Sequence, residues 1–400
     1  MLKVVVDATP ITVKPSGVGL YVANLIQHLH FLQKPEKFQL GIFYQPSLKN
    51  WLKRDFTFPS LLPNYYKLNE SEAQARFFFS YPVRISDWLV NNFPQVFPLL
   101  LDKPLKDDQI FHGTNFTVYP DRSTLKVMTL YDLTFLKYPQ YVDRVVAKYY
   151  QRVRQCLQWT DSIIAISEST KQDAIKYLDI SPEKIFVTPL ASRYTKDYFK
   201  GCDIAILKTK VNYNFDIPYL LFVSTIEPRK NIITLVKAFS YLKEKYKIEH
   251  NLVLIGKKGW RYGAIFEAIA NSVYNKNIHH LDYLSDELLA LFYQLAEVFV
   301  YPSHYEGFGL PVLEAMNLGT PVVCSNTSSL PEIVGNAGLQ INPDNPLELA
   351  EAIEQVINNS QLQQDLRTKG YQQASNFSWE KTAKKTLQSY RTLLGLNRAY

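Results

Sequence analysis

Cysteine is scarce in this chain of 400 residues: Cys156, Cys202 and Cys324 are odd in number and far apart. Such spacing excludes a disulfide framework, offers no zinc-ligand pattern and fits a reducing cytosol. Long apolar runs are lacking as well. No stretch of 18 apolar residues occurs, so no helical membrane span is expected. The opening Met-Leu-Lys-Val-Val-Val-Asp has neither the apolar region nor the cleavage site of a signal peptide and reads as a first strand. Internal repeats and low-complexity segments are also missing, which leaves out solenoids and disordered arrays.

What is there is the composition of a soluble globular protein, 46% hydrophobic and 20% charged. A length of 400 residues exceeds one core and suits two domains. Charge is uneven. Residues 1–200 hold 25 Lys+Arg against 18 Asp+Glu, residues 201–400 hold 19 of each, and the whole excess of +7 lies in the first half. A basic half attracts an acidic partner or an anionic membrane surface; the bland alternative is a lysine-rich surface with no partner.

Strand and helix patterns alternate, which implies α/β layers with parallel sheets. The first series has strands at Leu2–Asp7, Gln39–Tyr44, Gln109–His112, Lys126–Leu130, Ser162–Ile166 and Ile185–Val187. A second series restarts at Tyr219–Ser224 and continues through Asn251–Ile255, Ile278–Leu281, Val298–Tyr301 and Pro321–Cys324. Two doubly wound domains are predicted, 1–195 and 217–376, with a linker at 196–216 inside a polar stretch short of regular pattern. A last helix, Trp379–Leu394, follows. Such domains place a crevice at the carboxyl ends of both sheets.

The richest segment, Tyr301–Met316, sets Glu306 and Glu314 on either side of Gly307-Phe308-Gly309-Leu310-Pro311. Eighteen glutamates in 400 residues give about one Glu-x7-Glu pair by chance, so the weight lies in the glycine loop and the strand before it. The glycines let backbone approach a bound group, Pro311 suits a first helical turn, and free N–H groups there bind phosphate. Two acids beside a phosphate cradle suit a sugar nucleotide; the bland alternative is a strand–turn–helix with solvated carboxylates. Arg229 and Lys230 precede the helical pattern Ile232–Tyr246, where cations and N–H donors converge into a diphosphate site. His112 and Asp132 each follow a strand and should end at the crevice. Gly17-Val18-Gly19 reads as a loop before a helix at Leu20–Phe31. It is no dinucleotide fingerprint: position 22 is Val22, and Tyr44-Gln45-Pro46 brings no acid to the end of the second strand.

These residues carry a resemblance. Tyr301–Met316 looks like the signature of the retaining glycosyltransferases of the GT-B fold, family 4 (glycosyl transferases group 1). It continues through Gly319-Thr320-Pro321, Ser328-Ser329-Leu330-Pro331-Glu332 and Gly335-Asn336-Ala337-Gly338. Upstream stand Glu227-Pro228-Arg229-Lys230-Asn231, Leu254-Ile255-Gly256-Lys257-Lys258-Gly259-Trp260 and Leu281-Asp282-Tyr283-Leu284; downstream stands Phe377-Ser378-Trp379-Glu380. Most of residues 1–30 and 110–395 follow the pattern, whereas 45–105 do not.

The resemblance implies two Rossmann-like domains facing a crevice, with the C-terminal helix (377–400) crossing back onto the first. It implies that Arg229 and Lys230 grip the leaving diphosphate, that Gly256, Lys257, Tyr283 and Leu284 border the nucleobase, and that Glu314 binds ribose hydroxyls. Glu306 would face the donor sugar, the N–H groups of Phe308, Gly309 and Leu310 its sugar or phosphate, and Gly17 and Gly19 the donor phosphate. No cofactor or metal is required, and no nucleic acid is expected as a partner.

Four departures stand out. Leu20 replaces a common Arg, Ser224 a common Gly, and Thr114 and Tyr131 the usual histidines, which puts a histidine base in doubt and leaves Asp132 as the ionisable group at the reacting hydroxyls. The expected activity is hexosyl transfer with retention to a saccharide or lipid-linked saccharide in polysaccharide biosynthesis. The first-choice donor is UDP-glucose and the second GDP-mannose. A non-catalytic sugar-nucleotide-binding protein is the reading from another class. Residues 76–101, dense in aromatics and proline, read either as a buried helix with loops or as an acceptor wall or membrane-surface patch, placing the protein in the cytoplasm or at the inner face of a membrane.

Overall fold

The computed structural model describes residues 1–12, 17–54, 76–78, 81–143 and 146–395. Short runs of Val, Ile, Leu and Phe are buried on both faces, as parallel strands covered by helices require. In the first lobe these are β1 (Leu2–Asp7), β2 (Phe38–Tyr44), β3 (Arg76–Phe78), β4 (Ile110–Gly113), β5 (Leu125–Leu130), β6 (Ser162–Ala165) and β7 (Ile185–Val187). They pair in parallel in the order β3-β2-β1-β4-β5-β6-β7. The second lobe has β8 (Tyr219–Val223), β9 (Asn251–Ile255), β10 (Ile278–Leu281), β11 (Val298–Tyr301), β12 (Val322–Ser325) and β13 (Gly338–Ile341). Its order is β10-β9-β8-β11-β12-β13, again parallel. In each sheet the winding reverses beside its first strand, between β1 and β4 and between β8 and β11. Loops leaving those strands diverge there and open a crevice.

Two strands were not expected, β3 and β13. Both are edge strands of three and four residues, and Gly338-Leu339-Gln340-Ile341 is too short and too polar to stand out by period. Gly17–Gly19 is not a loop: it forms the opening turn of a helix, Gly17–Glu36. The stretch 196–216 is not without regular structure, since Asp203 caps a helix at Ile204–Thr209 by accepting from the N–H of Ala205 at 2.9 Å. Of the aromatic stretch 76–101, residues 79 and 80 lie outside the described residues. The rest gives β3 and the helices Val83–Asn92 and Pro98–Leu105, which bury Val90, Leu101 and Leu105 but leave other apolar side chains exposed.

The helix Trp379–Leu393 packs on Gly17–Glu36, as the resemblance implied. Ser378 caps it, and Arg391 holds the far end of Gly17–Glu36 through the Glu36 carboxylate (2.9 Å) and carbonyl (2.8 Å). Among the described residues no helix is long and apolar enough to cross a membrane.

Candidate active site

The two switch points face one cavity of about 540 Å³. Its walls come from the loops that the topology brings together: Gly17 after β1, Asp132 after β5, Lys230 after β8 and Glu306–Gly309 after β11. A larger cavity, about 660 Å³, lies wholly in the first lobe and holds none of the predicted donor residues.

The glycine loop works by close approach. A Cβ on Gly307 would lie 2.0 Å from the carbonyl oxygen of Tyr131 and 2.9 Å from Cβ of Asp132, so only glycine lets the second lobe touch the first here. Gly309 (φ +114°) turns the chain into the helix Leu310–Asn317 with no side-chain cap, which leaves its first N–H groups for a ligand. Ser328 and Ser329 brace the loop: the Ser328 hydroxyl accepts from the Glu306 N–H (2.9 Å), and the Ser329 hydroxyl lies against the carbonyls of Glu306 (2.9 Å) and Phe308 (2.6 Å). Across the lobes, Tyr305 donates to the Asp173 carboxylate (2.7 Å), and Trp260 donates to the Tyr141 carbonyl (2.6 Å).

Glu306 is buried between the two predicted cations. Lys230 Nζ lies 2.7 Å from its Oε1 and Arg229 Nη1 3.2 Å from its Oε2. Burial alone would raise this carboxyl, but Lys230 and Arg229 outweigh it and hold it at about 2. Arg229 has further partners, Glu227 (2.9 Å) and the Tyr305 carbonyl (2.6 Å). It stands behind Glu306 and does not line the cavity, whereas Lys230 does. The expectation of two cations open to a diphosphate is therefore corrected: one reaches the cavity, and the two are countered by Glu306 together with Glu227.

Glu314 is likewise engaged. Arg193 donates from Nε to its Oε1 (2.7 Å), and Tyr293 donates to Oε2 (3.2 Å). Arg193 also bonds Asp286 at 2.7 Å, and these carboxylates raise its pKa against the lowering effect of burial. Sequence reasoning missed Arg193. It is a lone Arg in a polar coil after β7, and nothing local marks it as the partner of a carboxylate 121 positions away. At the predicted base end, Gly256, Lys257, Tyr283 and Leu284 all line the cavity, and Lys257 Nζ sits 4.9 Å from the centre of the exposed Tyr283 ring.

The first lobe contributes Gly17 and Asp132, whose Oδ1 accepts from the Thr134 N–H (2.9 Å). His112 does not line the cavity. Its Nδ1 meets the Tyr390 hydroxyl (2.6 Å) and its Nε2 the Thr129 hydroxyl (2.7 Å), and burial drives its pKa down to about 3. Tyr131, beside Asp132, does border the cavity and donates to the Thr114 carbonyl. Gly19 is buried inside its helix and is likewise away from the cavity.

Two doubly wound lobes, a phosphate-type loop between them and a C-terminal helix returning to the first lobe define a glycosyltransferase of the GT-B fold. Comparison with known proteins agrees. The family model for glycosyl transferases group 1 matches residues 203–373. The chain is 30% identical over 396 residues to the O-antigen chain mannosyltransferase B of Escherichia coli, covering 98% of this chain and 100% of that one. It therefore belongs to the glycosyl transferases group 1, and it is an enzyme. Its fold is shared with sucrose-phosphate synthase from Thermosynechococcus elongatus (TM-score 0.71, 20% identity, 99% of this chain and 100% of that one). The same holds for Anabaena Alr3699/HepE in complex with UDP (TM-score 0.68, 15% identity, 98% and 100%).

Proposed function

We propose that the protein transfers mannose from GDP-mannose, with retention, to a saccharide or lipid-linked saccharide during polysaccharide assembly. The observation that carries this is the relative at 30% identity over essentially the whole of both chains, whose name is that of an O-antigen chain mannosyltransferase. UDP-glucose, the first choice from sequence, gives way to GDP-mannose on that ground.

The second lobe holds the donor. Its diphosphate lies over the N-terminus of Leu310–Asn317 and beside Lys230, taking the place that the Glu306 carboxylate occupies as counter-charge. Glu306, displaced from Lys230, then accepts from the sugar hydroxyls. Glu314 exchanges its arginine bond for the ribose hydroxyls, and the base lies among Gly256, Lys257, Tyr283 and Leu284. The acceptor hydroxyl attacks from the face that the diphosphate leaves, and a phosphate oxygen takes its proton. No protein nucleophile and no metal is needed: Lys230 and the helix N-terminus stabilise the leaving charge, with Arg229 behind them, while Asp132 and Glu306 position the reacting hydroxyls. The protein works in the cytoplasm, at the inner face of a membrane that carries its acceptor.

The test is a panel of GDP-mannose and UDP-glucose, read by thermal shift and by donor hydrolysis without acceptor. Selective binding at a hundred times Kd stabilises by about 2.7 kcal/mol. Selective stabilisation by GDP-mannose, with EDTA-resistant hydrolysis that first releases the α-anomer of mannose, is expected. Selective response to UDP-glucose overturns the donor, and binding without turnover overturns the enzyme mechanism.

A further inference from the structure

Seven of the sixteen exposed large apolar side chains among the described residues fall between Trp51 and Leu99. Their share is too large for scattered surface apolar residues. Helix Leu48–Leu52 offers Trp51 and Leu52, the latter 70% exposed. Helix Val83–Asn92 and the turn after it offer Trp88 (56%), Phe93, Val96 and Leu99 (68%). The two helices are tied together at their starts, where the Val83 N–H donates to the Pro46 carbonyl at 3.3 Å. Trp88 and Phe93 pack edge to face with ring centres 5.7 Å apart.

Among the described residues, the exposed charges of this surface are of one sign. Residues 46–54 and 81–101 carry Lys49, Lys53, Arg54 and Arg84, all exposed, against a single acid, Asp87. Asp87 is turned inward to Arg152, at 2.8 Å. Arg84 and Trp88 are four positions apart and so share one face of their helix. Asp87, Val90 and Asn91 border the 660 Å³ cavity. The surface lies on the β2–β3 edge of the first sheet, whereas the interlobe bonds described above come from residues near β5 and β6.

We propose that this face docks onto an anionic phospholipid surface, Trp51 and Trp88 entering the headgroup layer and the four cations meeting lipid phosphates. Exposed tryptophans beside Lys and Arg are the composition of an interfacial anchor, and among residues 46–54 and 81–101 no acid but the inward-turned Asp87 stands against a negative surface. It sharpens the membrane partner named above. Its test uses neither donor nor acceptor, so it fails separately from the transfer reading.

The full chain is floated with vesicles of phosphatidylcholine alone and of phosphatidylcholine mixed with phosphatidylglycerol. Binding to the mixed vesicles only, weakening as salt rises, is expected. Lys53→Gln and Arg84→Gln should each weaken it about fivefold. Trp51→Ser with Trp88→Ser should abolish it, while the melting temperature stays unchanged. Equal binding to both vesicle types, no binding to either, or unaltered binding by the tryptophan variant overturns the proposal. So does a dimer in lipid-free solution that Trp88→Ser dissociates, since a second copy would then be the occupant.

Discussion

Replacing Glu306 by Gln tests the centre of the site. Gln keeps the shape and removes the charge, leaving Arg229 and Lys230 with Glu227 as their nearest carboxylate partner. The depression from the ordinary 4.5 to about 2 corresponds to about 3 kcal/mol of folding stability. At roughly 2–4 °C per kcal/mol for a lobe of this size, melting should fall by roughly 6–12 °C at pH 7. The sign follows from the direction: a depressed carboxyl stabilises above its unfolded pKa and loses that effect as pH falls through the folded one. The gap between parent and Glu306→Gln should therefore close from about pH 4.5 to about pH 2. Binding should move the other way. With its internal competitor gone, the site should take GDP as tightly as the parent or more tightly, while turnover falls because the sugar hydroxyls lose their acceptor. Calorimetry with GDP, beside initial rates, separates the two. Loss of GDP affinity in step with turnover would refute the displacement of Glu306 by diphosphate.

Glu314→Ala should weaken GDP binding roughly tenfold to a hundredfold by calorimetry, the worth of hydrogen bonds to a charged acceptor. Asp132→Asn should keep a rate within about tenfold to a hundredfold of the parent, and total silence would mean that a phosphate oxygen does not take the proton. His112→Ala should cost about 2–4 kcal/mol in melting, from lost packing and two orphaned hydroxyls, with turnover per folded molecule near that of the parent; a slowed reaction at unchanged stability would return His112 to the site. Asp7 is buried and its carboxyl is raised from 3.8 to about 6, so its ionisation destabilises the fold progressively from about pH 4 to about pH 6. Asp7→Asn should therefore melt higher than the parent at pH 7.5, by up to about 3 kcal/mol, and equal it near pH 4; a constant gap would contradict this.

The fold was legible because strands and helices repeat with clear period and because strand ends place loops. Eleven of the strands were anticipated to within two residues, and the loop Glu306–Pro311 lies where β11 delivers it. What escaped was long-range. Arg193, Tyr293 and Ser328 reach the site from distant segments, and no local pattern says which carboxylate an isolated Arg will meet. His112 misled for the converse reason: a histidine at the end of a strand looks alike whether it faces the crevice or the core. Only the helix at the far end of the chain decides that it faces the core, through Tyr390.

That same bond has a consequence for the order of assembly. The chain leaves the ribosome with the first lobe's strands made but its outer helix, Trp379–Leu393, still unsynthesised. Until that helix emerges, Gly17–Glu36 lacks its cover, Glu36 its arginine and His112 its hydroxyl. The second lobe, continuous in sequence, has no such wait. The lobe translated first is thus the one completed last, and a chain halted near residue 376 would present one finished lobe and one with an open seam.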